Sequence, residues 1–423
     1  MKSLAELEAQ VVAALKAGAG DVLKDQLEHH TDSFFATLRK VRPILHIPNG
    51  PVFVTLFQDV QEVLSRPEVF NVTYAPKMDP SVGPFMLARD GTTINERDKG
   101  IMRAMLRRED LPRVRGTVAG LAAAAVREGT KDGRLDVVGA VSRKVPVQLT
   151  GAYFGFPGPD VAAMLRWSRA TQYDMFHNYT SDAAIHGDNV RAGTEMKAYL
   201  AGLVAERRAA IDSGQAGDDV LTRLLKSHFP AEIEFGDERL IANMMGLLVG
   251  GIETTSQAIV QILDQFLDRP DALAQLKTAV TADDNVAIFQ ACWEALRFNP
   301  INPFVARVCV SSYEIAAGTP RATRVEPGTP VFPATRSAMH DEREIPNPDE
   351  FRLDRPPYHY LHMGYGLHTC LGDHVSTVQV PEIVKQIVRA GDISRLDGPD
   401  GRIDVNGGPF PERFFIKLGP AQQ

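Results

Sequence analysis

Three cysteines occur in the chain, and one of them, Cys370, stands in the run Met363-Gly364-Tyr365-Gly366-Leu367-His368-Thr369-Cys370-Leu371-Gly372. A thiol in a turn just ahead of a helix start can be held as the thiolate, because unsatisfied backbone N–H groups and the positive end of the helix dipole lower its pKa. A soft thiolate is an axial ligand that haem iron accepts. Gly364, Gly366 and Gly372 tolerate positive φ and near contact, so the backbone can turn sharply and lie close against a flat macrocycle. His368, two residues before the sulfur, could reach a haem propionate. The plainer reading of the same residues is a small apolar filler buried in a glycine turn.

A second constellation is Gly250-Gly251-Ile252-Glu253-Thr254-Thr255, near the middle of a helical pattern that spans about Gly236 to Leu267. Two glycines and two threonines are poor helix formers, so local propensity opposes the surrounding pattern, as it does at functional sites. Glycine removes bulk beside a flat cofactor, and a threonine hydroxyl can bond a carbonyl of the preceding turn and open the ladder into a groove. A carboxylate and a hydroxyl side by side can relay protons through water to a dioxygen held there. The alternative is a kinked core helix with a capped glutamate. Two charged pairs follow helical spacing. Lys99 and Arg103 are four apart on one face of a basic helix from Asn95 to about Arg108, and Glu294 and Arg297 are three apart. As ordinary surface features, the first is a solvated basic face and the second a weak ion pair.

These residues need elements to position them. A short hairpin is predicted from Ile44 to Pro48 and Val52 to Phe57 around Asn49-Gly50-Pro51, followed by a helix from Asp59 to about Arg66. Asn71 to Arg89, with Pro76, Pro80, Gly83 and Pro84, reads as a long irregular loop of the kind that is often functional. Helices are predicted over Thr117 to Glu128, Val138 to Phe154, Asp160 to about Tyr179 and Asn189 to Ile211. A strand ends the stretch Pro300 to Val310, another covers Tyr313 to Ala317, and the last lies near Phe414 to Leu418. Ser3 and Glu6 form a capping box ahead of Leu4, Leu7, Val11 and Leu15, which marks an additional amphipathic helix within residues 1–30.

The chain has 423 residues without a linker-like block, so a single domain over 1–423 is expected. Its 44% hydrophobic share supplies an extensive core. Three cysteines are too few for a disulfide framework and suit a reducing cytoplasm. No apolar run approaches bilayer length, and the N-terminus carries no signal-like stretch, so a membrane span is not expected. A net charge of −7 argues against nucleic acid as the main partner.

The run ending at Cys370 resembles the haem-binding loop of the cytochrome P450 family, an aromatic followed by Gly-x-Gly-x-His-x-Cys-x-Gly, with Met363 where the family usually has Phe. The segment Gly250 to Thr254 is similar to the family's oxygen-activation motif, Glu294-x-x-Arg297 to its helix beneath the haem, and Phe351 to Arg355 to the loop whose arginine joins that pair. The resemblance implies a mainly α fold with small β-sheets and a long central helix over haem b, iron protoporphyrin IX. It implies Cys370 as iron ligand, and Glu253 and Thr254 as the proton relay. His368, Arg307, Arg103 and Lys99 would be propionate contacts, and Gly250, Gly364, Gly366 and Gly372 would contact the cofactor closely. Lys99 stands where the family has His. Glu294, Arg297 and Arg355 would be structural, holding the cysteine loop in place, and Tyr173, Met175, Phe176, His177 and Tyr179 would lie near the substrate pocket. The implied activity is monooxygenation of a small or medium apolar organic molecule with O2, using electrons from a separate ferredoxin or flavodoxin and its reductase. A peroxide-driven peroxygenase, an isomerase, or a non-catalytic haem-binding or sensor protein are the rival readings.

Overall fold

The computed structural model describes residues 30–47, 49–179 and 181–419. The amphipathic helix expected within residues 1–30 lies outside the described residues, as does Pro48 of the hairpin. The helices of seven or more residues are α1 Thr31–Val41, α2 Phe57–Leu64, α3 Thr93–Met105, α4 Leu111–Gly129, α5 Val161–Gln172, α6 Ala183–Asp212, α7 Val220–Lys226, α8 Asp237–Gly251, α9 Glu253–Leu267, α10 Pro270–Thr281, α11 Asn285–Phe298 and α12 Asp373–Arg389. The strands are β1 Ile44–His46, β2 Val52–Val54, β3 Phe70–Asn71, β4 Thr130–Lys131, β5 Arg134–Asp136, β6 Arg307–Cys309, β7 Tyr313–Ile315, β8 Thr323–Val325, β9 Pro330–Pro333, β10 Ile393–Arg395 and β11 Phe415–Leu418.

The described residues form two compact units, one within 1–73 and 297–370, the other within 74–296 and 371–423. The first is built on a five-stranded sheet of order β1-β2-β9-β6-β3, in which β2 and β9 run parallel and the other neighbours antiparallel. Its strands are rich in Val, Ile and Phe, whose branched or flat side chains suit a pleated surface packed on both faces. Val52, Phe53 and Val54 are all buried. One side of the sheet packs on Val60, Val63 and Leu64 of α2, and the other on Phe34, Phe35 and Leu38 of α1. Around Phe53 the rings of Phe34, Phe304 and Phe332 pack edge-on, with centroids 5.3–6.2 Å away. Such edge-to-face contacts add to the area they bury.

The second unit is helical, with a small antiparallel sheet of order β10-β11-β5-β4. α12 packs along α4 and also meets α9 and α10. Most of α12 from Val378 to Val388 is buried, as a helix that is apolar on several faces must be. Side-chain caps explain several helix starts: Asp160 accepts from Ala163 N at 2.8 Å, and Asp182 accepts from the N–H groups of Ala184 and Ile185. The Asp182 cap is why α6 begins six residues before the expected Asn189. The stretch expected as one helix from Val138 to Phe154 is instead a short α-helical piece, Lys144–Leu149, between two wide π-helical turns, Val137–Ser142 and Thr150–Phe154.

Candidate active site

The cysteine loop belongs to the first unit. Cys370 N–H donates to the Met363 carbonyl at 2.8 Å, Gly364 N–H to the Leu361 carbonyl at 3.0 Å and Thr369 N–H to the Gly366 carbonyl at 3.1 Å. A single 3₁₀ turn, Gly366–His368, carries the chain round to the sulfur. Gly364 and Gly366 have φ of 78° and 67°, which L side chains rarely adopt. A Cβ on Gly366 would also come within 2.8 Å of the Leu64 carbonyl oxygen at the end of α2, and one on Gly364 within 2.9 Å of the His368 carbonyl oxygen. Both glycines are therefore required by the backbone. Gly372 is not left-handed: its φ is −85° and it serves as the N-cap of α12, so its expected tolerance of positive φ is not used. Cys370 is half-buried, whereas Cys292 and Cys309 are fully buried. Burial pushes the Cys292 thiol far up, which makes it inert.

Arg307 lies on β6 of the same unit with 4% of its surface exposed. Among the described residues its acceptor is the adjoining Ala306 carbonyl, 2.8 Å from Nη1. A buried guanidinium with so little internal satisfaction suits a carboxylate-bearing ligand. Arg297, fully buried, donates to the Met339 carbonyl at 2.9 Å and the Glu350 carbonyl at 3.2 Å. Arg355 donates to the same Glu350 carbonyl at 2.8 Å and to those of Pro346 and Asn347. Two arginines expected to act together thus converge on one backbone segment ahead of the cysteine loop. Glu294 is fully buried.

The acid–threonine segment belongs to the second unit. The single helix expected from Gly236 to Leu267 is broken at Ile252, with φ −103° and ψ −71°, into α8 and α9. Thr254 Oγ1 donates to the Gly250 carbonyl, and Thr255 Oγ1 donates to the Gly251 carbonyl at 2.9 Å. Hydroxyls that bond back four residues compete with the helix ladder, and here the ladder opens where both do so. Gly250 is exposed, and among the described residues no atom beyond its chain neighbours and its own helix backbone lies within 4 Å of where its Cβ would be, so the helix offers an open, flat shelf at this residue. Glu253 is fully buried. Burial raises its pKa, against the pull of Arg143 and Arg169 and with a further push from Glu412.

Arg143, Arg169 and Glu412 were not among the expected site residues. Arg143 Nε lies 3.2 Å from Glu253 Oε1, and Arg169 Nη1 lies 3.7 Å from the same oxygen. The signal that was available is the Arg143-Lys144 pair inside an otherwise apolar stretch, Val138 to Phe154, where an unpaired charge would be costly. Also unexpected is the order in the loop Asn71 to Arg89. It contains the helical turn Ala75–Met78 and the 3₁₀ turn Met86–Ala88. Asn243 of α8 accepts from Met86 N–H at 3.2 Å, Ser81 Oγ donates to the Asn189 carbonyl of α6 at 3.0 Å, and Phe85 lies against Gly246.

Of the basic helix, Arg103 is exposed and 3.9 Å from Asp373, while Lys99 is half-buried. His374 joins the end of α3 to the start of α12, with Nε2 2.6 Å from the Leu106 carbonyl oxygen and Nδ1 3.0 Å from Asp373. Arg103, Arg107, Arg108, Glu109, Asp373 and His374 line a recess of ≈ 250 Å³.

A half-buried cysteine on a glycine-tightened loop, a buried arginine short of acceptors and a helix opened beside an exposed glycine are features that haem b would use, so the residues present fit that cofactor. A mainly helical chain with this make-up falls in the haem-thiolate class. Comparison with known proteins gives the family. The model of the Cytochrome P450 family matches residues 160–394. The chain is 24% identical to the mycinamicin IV hydroxylase/epoxidase of Micromonospora griseorubida over 382 residues, 87% of this chain and 90% of that protein. It is 24% identical to a steroid C26-monooxygenase of Mycolicibacterium smegmatis, over 91% of this chain and 92% of that one. The crystal structure of CalO2 superposes with a TM-score of 0.79 at 20% identity, covering 94% of this chain and 98% of that one. The chain belongs to the cytochrome P450 family. It is an oxidoreductase that incorporates oxygen, and members of the family hold haem b through a cysteine thiolate. Among the described residues no helix is long and apolar enough to cross a membrane.

Proposed function

We propose that the chain is a cytoplasmic monooxygenase that inserts one atom of O2 into a small or medium apolar organic substrate, with residues 1–423 acting as one catalytic domain and a separate ferredoxin or flavodoxin, with its reductase, as electron source. The observation that carries this reading is the loop in which Gly364 and Gly366 turn the backbone and Cys370 N–H closes on the Met363 carbonyl, leaving one half-buried thiol. In it Cys370 would hold the haem iron through its thiolate, and Arg307, Arg103, Lys99 and His368 would hold the propionates. Gly250, Gly364, Gly366 and Gly372 would let the backbone lie close to the ring. Haem with a thiolate ligand, when bound, supplies the electron density that favours O–O cleavage. The residues supply protons and exclude water. Glu253, buried and with a raised pKa, holds a proton that Thr254 passes on at its Oγ1.

The reduced carbon monoxide adduct tests the assignment. Wild-type protein is expected to give the red-shifted Soret band of a cysteinate-ligated porphyrin, and Cys370→Ser to lose it. A wild-type adduct without that band, or a Cys370→Ser protein that retains it, refutes the ligand assignment.

The recess beside Arg103, Arg107 and Arg108 supports a docking role for this basic face towards an acidic electron donor. Charge reversal at Arg107 and Arg108 is expected to slow reduction by ferredoxin at least several-fold at low salt, and less at high salt. Reduction rates unchanged by the reversal would remove the docking role.

A further inference from the structure

Glu253 sits in a cluster of two carboxylates and two guanidinium groups drawn from separate segments of the second unit. Arg143 comes from the turn before Lys144–Leu149, Arg169 from α5, Glu253 from the start of α9, and Glu412 from the segment leading into β11. These are the charged groups that act on Glu253. Their donors are unequally shared. Arg169 gives both ends of its fork to Glu412, with Nη2 in close contact with Oε1 and Nη1 3.3 Å from Oε2. It approaches Glu253 only to 3.7 Å. Arg143 gives Nη1 to Glu412 at 3.1 Å and Nη2 to the Pro411 carbonyl at 2.6 Å. For Glu253 it leaves the Nε edge, 3.2 Å from Oε1 and 3.4 Å from Oε2.

The outcome inverts the usual preference. A carboxylate with no exposed surface has most to gain from a bidentate arginine, yet the bidentate arginine belongs to Glu412, whose side chain is 29% exposed. Among the described residues Glu253 Oε1 has two cations within 4 Å and accepts no well-directed hydrogen bond. The segment that carries Glu412 is itself fixed. Phe410, 1% exposed, lies under the Arg169 guanidinium at 5.2 Å and edge-on to Tyr173 and His177.

We propose that Glu412 is a positioning residue for Glu253: it holds the forks of Arg143 and Arg169 on the C-terminal segment and so leaves the buried carboxyl loosely gripped, able to turn towards the Thr254 hydroxyl. Its consequence for turnover rests on the relay role of Glu253 proposed above, while the grip itself does not. Without the Glu412 charge, both guanidinium groups would turn their free donors to Glu253. A like-charge neighbour would be lost at the same time, so Glu253 would ionise at lower pH and be clamped in a bidentate pair.

Infrared difference spectra of the ferric holoenzyme, recorded through a pH titration, follow the carboxyl band of Glu253, which is identified by its loss in Glu253→Gln. In Glu412→Gln its midpoint is expected to fall by about one pH unit or more. The alkaline limb of product formation is expected to move down with it, and the solvent deuterium isotope effect to rise. Glu412→Asp, which withdraws the charge by one methylene, is expected to move the midpoint the same way by less, and it serves if the Gln variant fails to fold. A midpoint that stays put or rises in the folded variants overturns the proposal. A midpoint that falls while the alkaline limb and isotope effect are unmoved leaves Glu412 as the residue that loosens Glu253, and removes Glu253 from the relay.

Discussion

At the residue scale the most informative side chain is Thr254. Its hydroxyl donates to the Gly250 carbonyl four residues back, at the point where the helix gives way. A methyl group in its place can neither hold that carbonyl nor pass a proton. Thr254→Ala should therefore keep haem and the cysteinate Soret band but waste reducing equivalents: the fraction of NAD(P)H recovered as product should fall several-fold, matched by hydrogen peroxide. Unaltered coupling in this variant would contradict the relay. Cys370 and Glu253 can be proposed from the sequence because the chemistry suggested for them is announced within a few neighbours, and Arg307 from the family resemblance. Arg143 and Glu412 are not, because Arg143 meets its two carboxylates across 110 and 269 residues of chain. Arginines inside apolar stretches signal a buried partner without naming it.

At the element scale, apolar spacing marks where helices run but not where they break. The periodicity from Gly236 to Leu267 continues through Ile252, which is itself buried, so only the run of glycines and threonines hints at the interruption. The loop Asn71 to Arg89 shows the opposite difficulty. Its prolines and glycines correctly deny it long elements, yet the order from Tyr74 onward comes from the side chains of Asn189 on α6 and Asn243 on α8, which bond the Lys77 carbonyl and the Met86 N–H and which no local pattern reveals. Gly246 is the tightest of these contacts: a Cβ there would lie 2.0 Å from Phe85 Cε2. Gly246→Ala should destabilise the protein by about 1–3 kcal/mol, as overpacking of a filled core does. Trimming the ring with Phe85→Leu in the same chain should recover much of that loss, because the two positions share one contact. Urea unfolding of the single and double variants measures both effects. A Gly246→Ala variant as stable as wild type would mean that the loop does not rest on α8 as described.

At the scale of the whole molecule, both compact units carry histidine whose burial keeps it neutral. His340 in the first unit is pushed down to about 4 and His362 to about 3, and His177 in the second to about 4, in each case mainly by burial. The usual value is 6.5, so between that pH and the folded values the unfolded chain binds protons that the folded chain does not. Stability is therefore fully present above about pH 6.5 and is lost as the pH falls towards 4. Each buried histidine contributes up to about 1.4 kcal/mol per pH unit, so three cost on the order of 3–4 kcal/mol between pH 6.5 and 5.5. Glu253 acts in the opposite sense, since its raised pKa lets the folded state take up a proton early, but it is one group against three. The unfolding free energy of the holoenzyme, followed by tryptophan fluorescence in urea, should thus fall steeply from pH 7 to pH 5.5. His177 offers the cleanest check. Its ring packs between Tyr173 and Phe410 and its Nε2 has no hydrogen-bond partner among the described residues, so His177→Phe keeps the shape and removes the titration. That variant should lose about a third of the pH slope while matching or exceeding wild-type stability at pH 5.5. A slope that His177→Phe leaves unchanged would show that the acid sensitivity comes from elsewhere in the molecule.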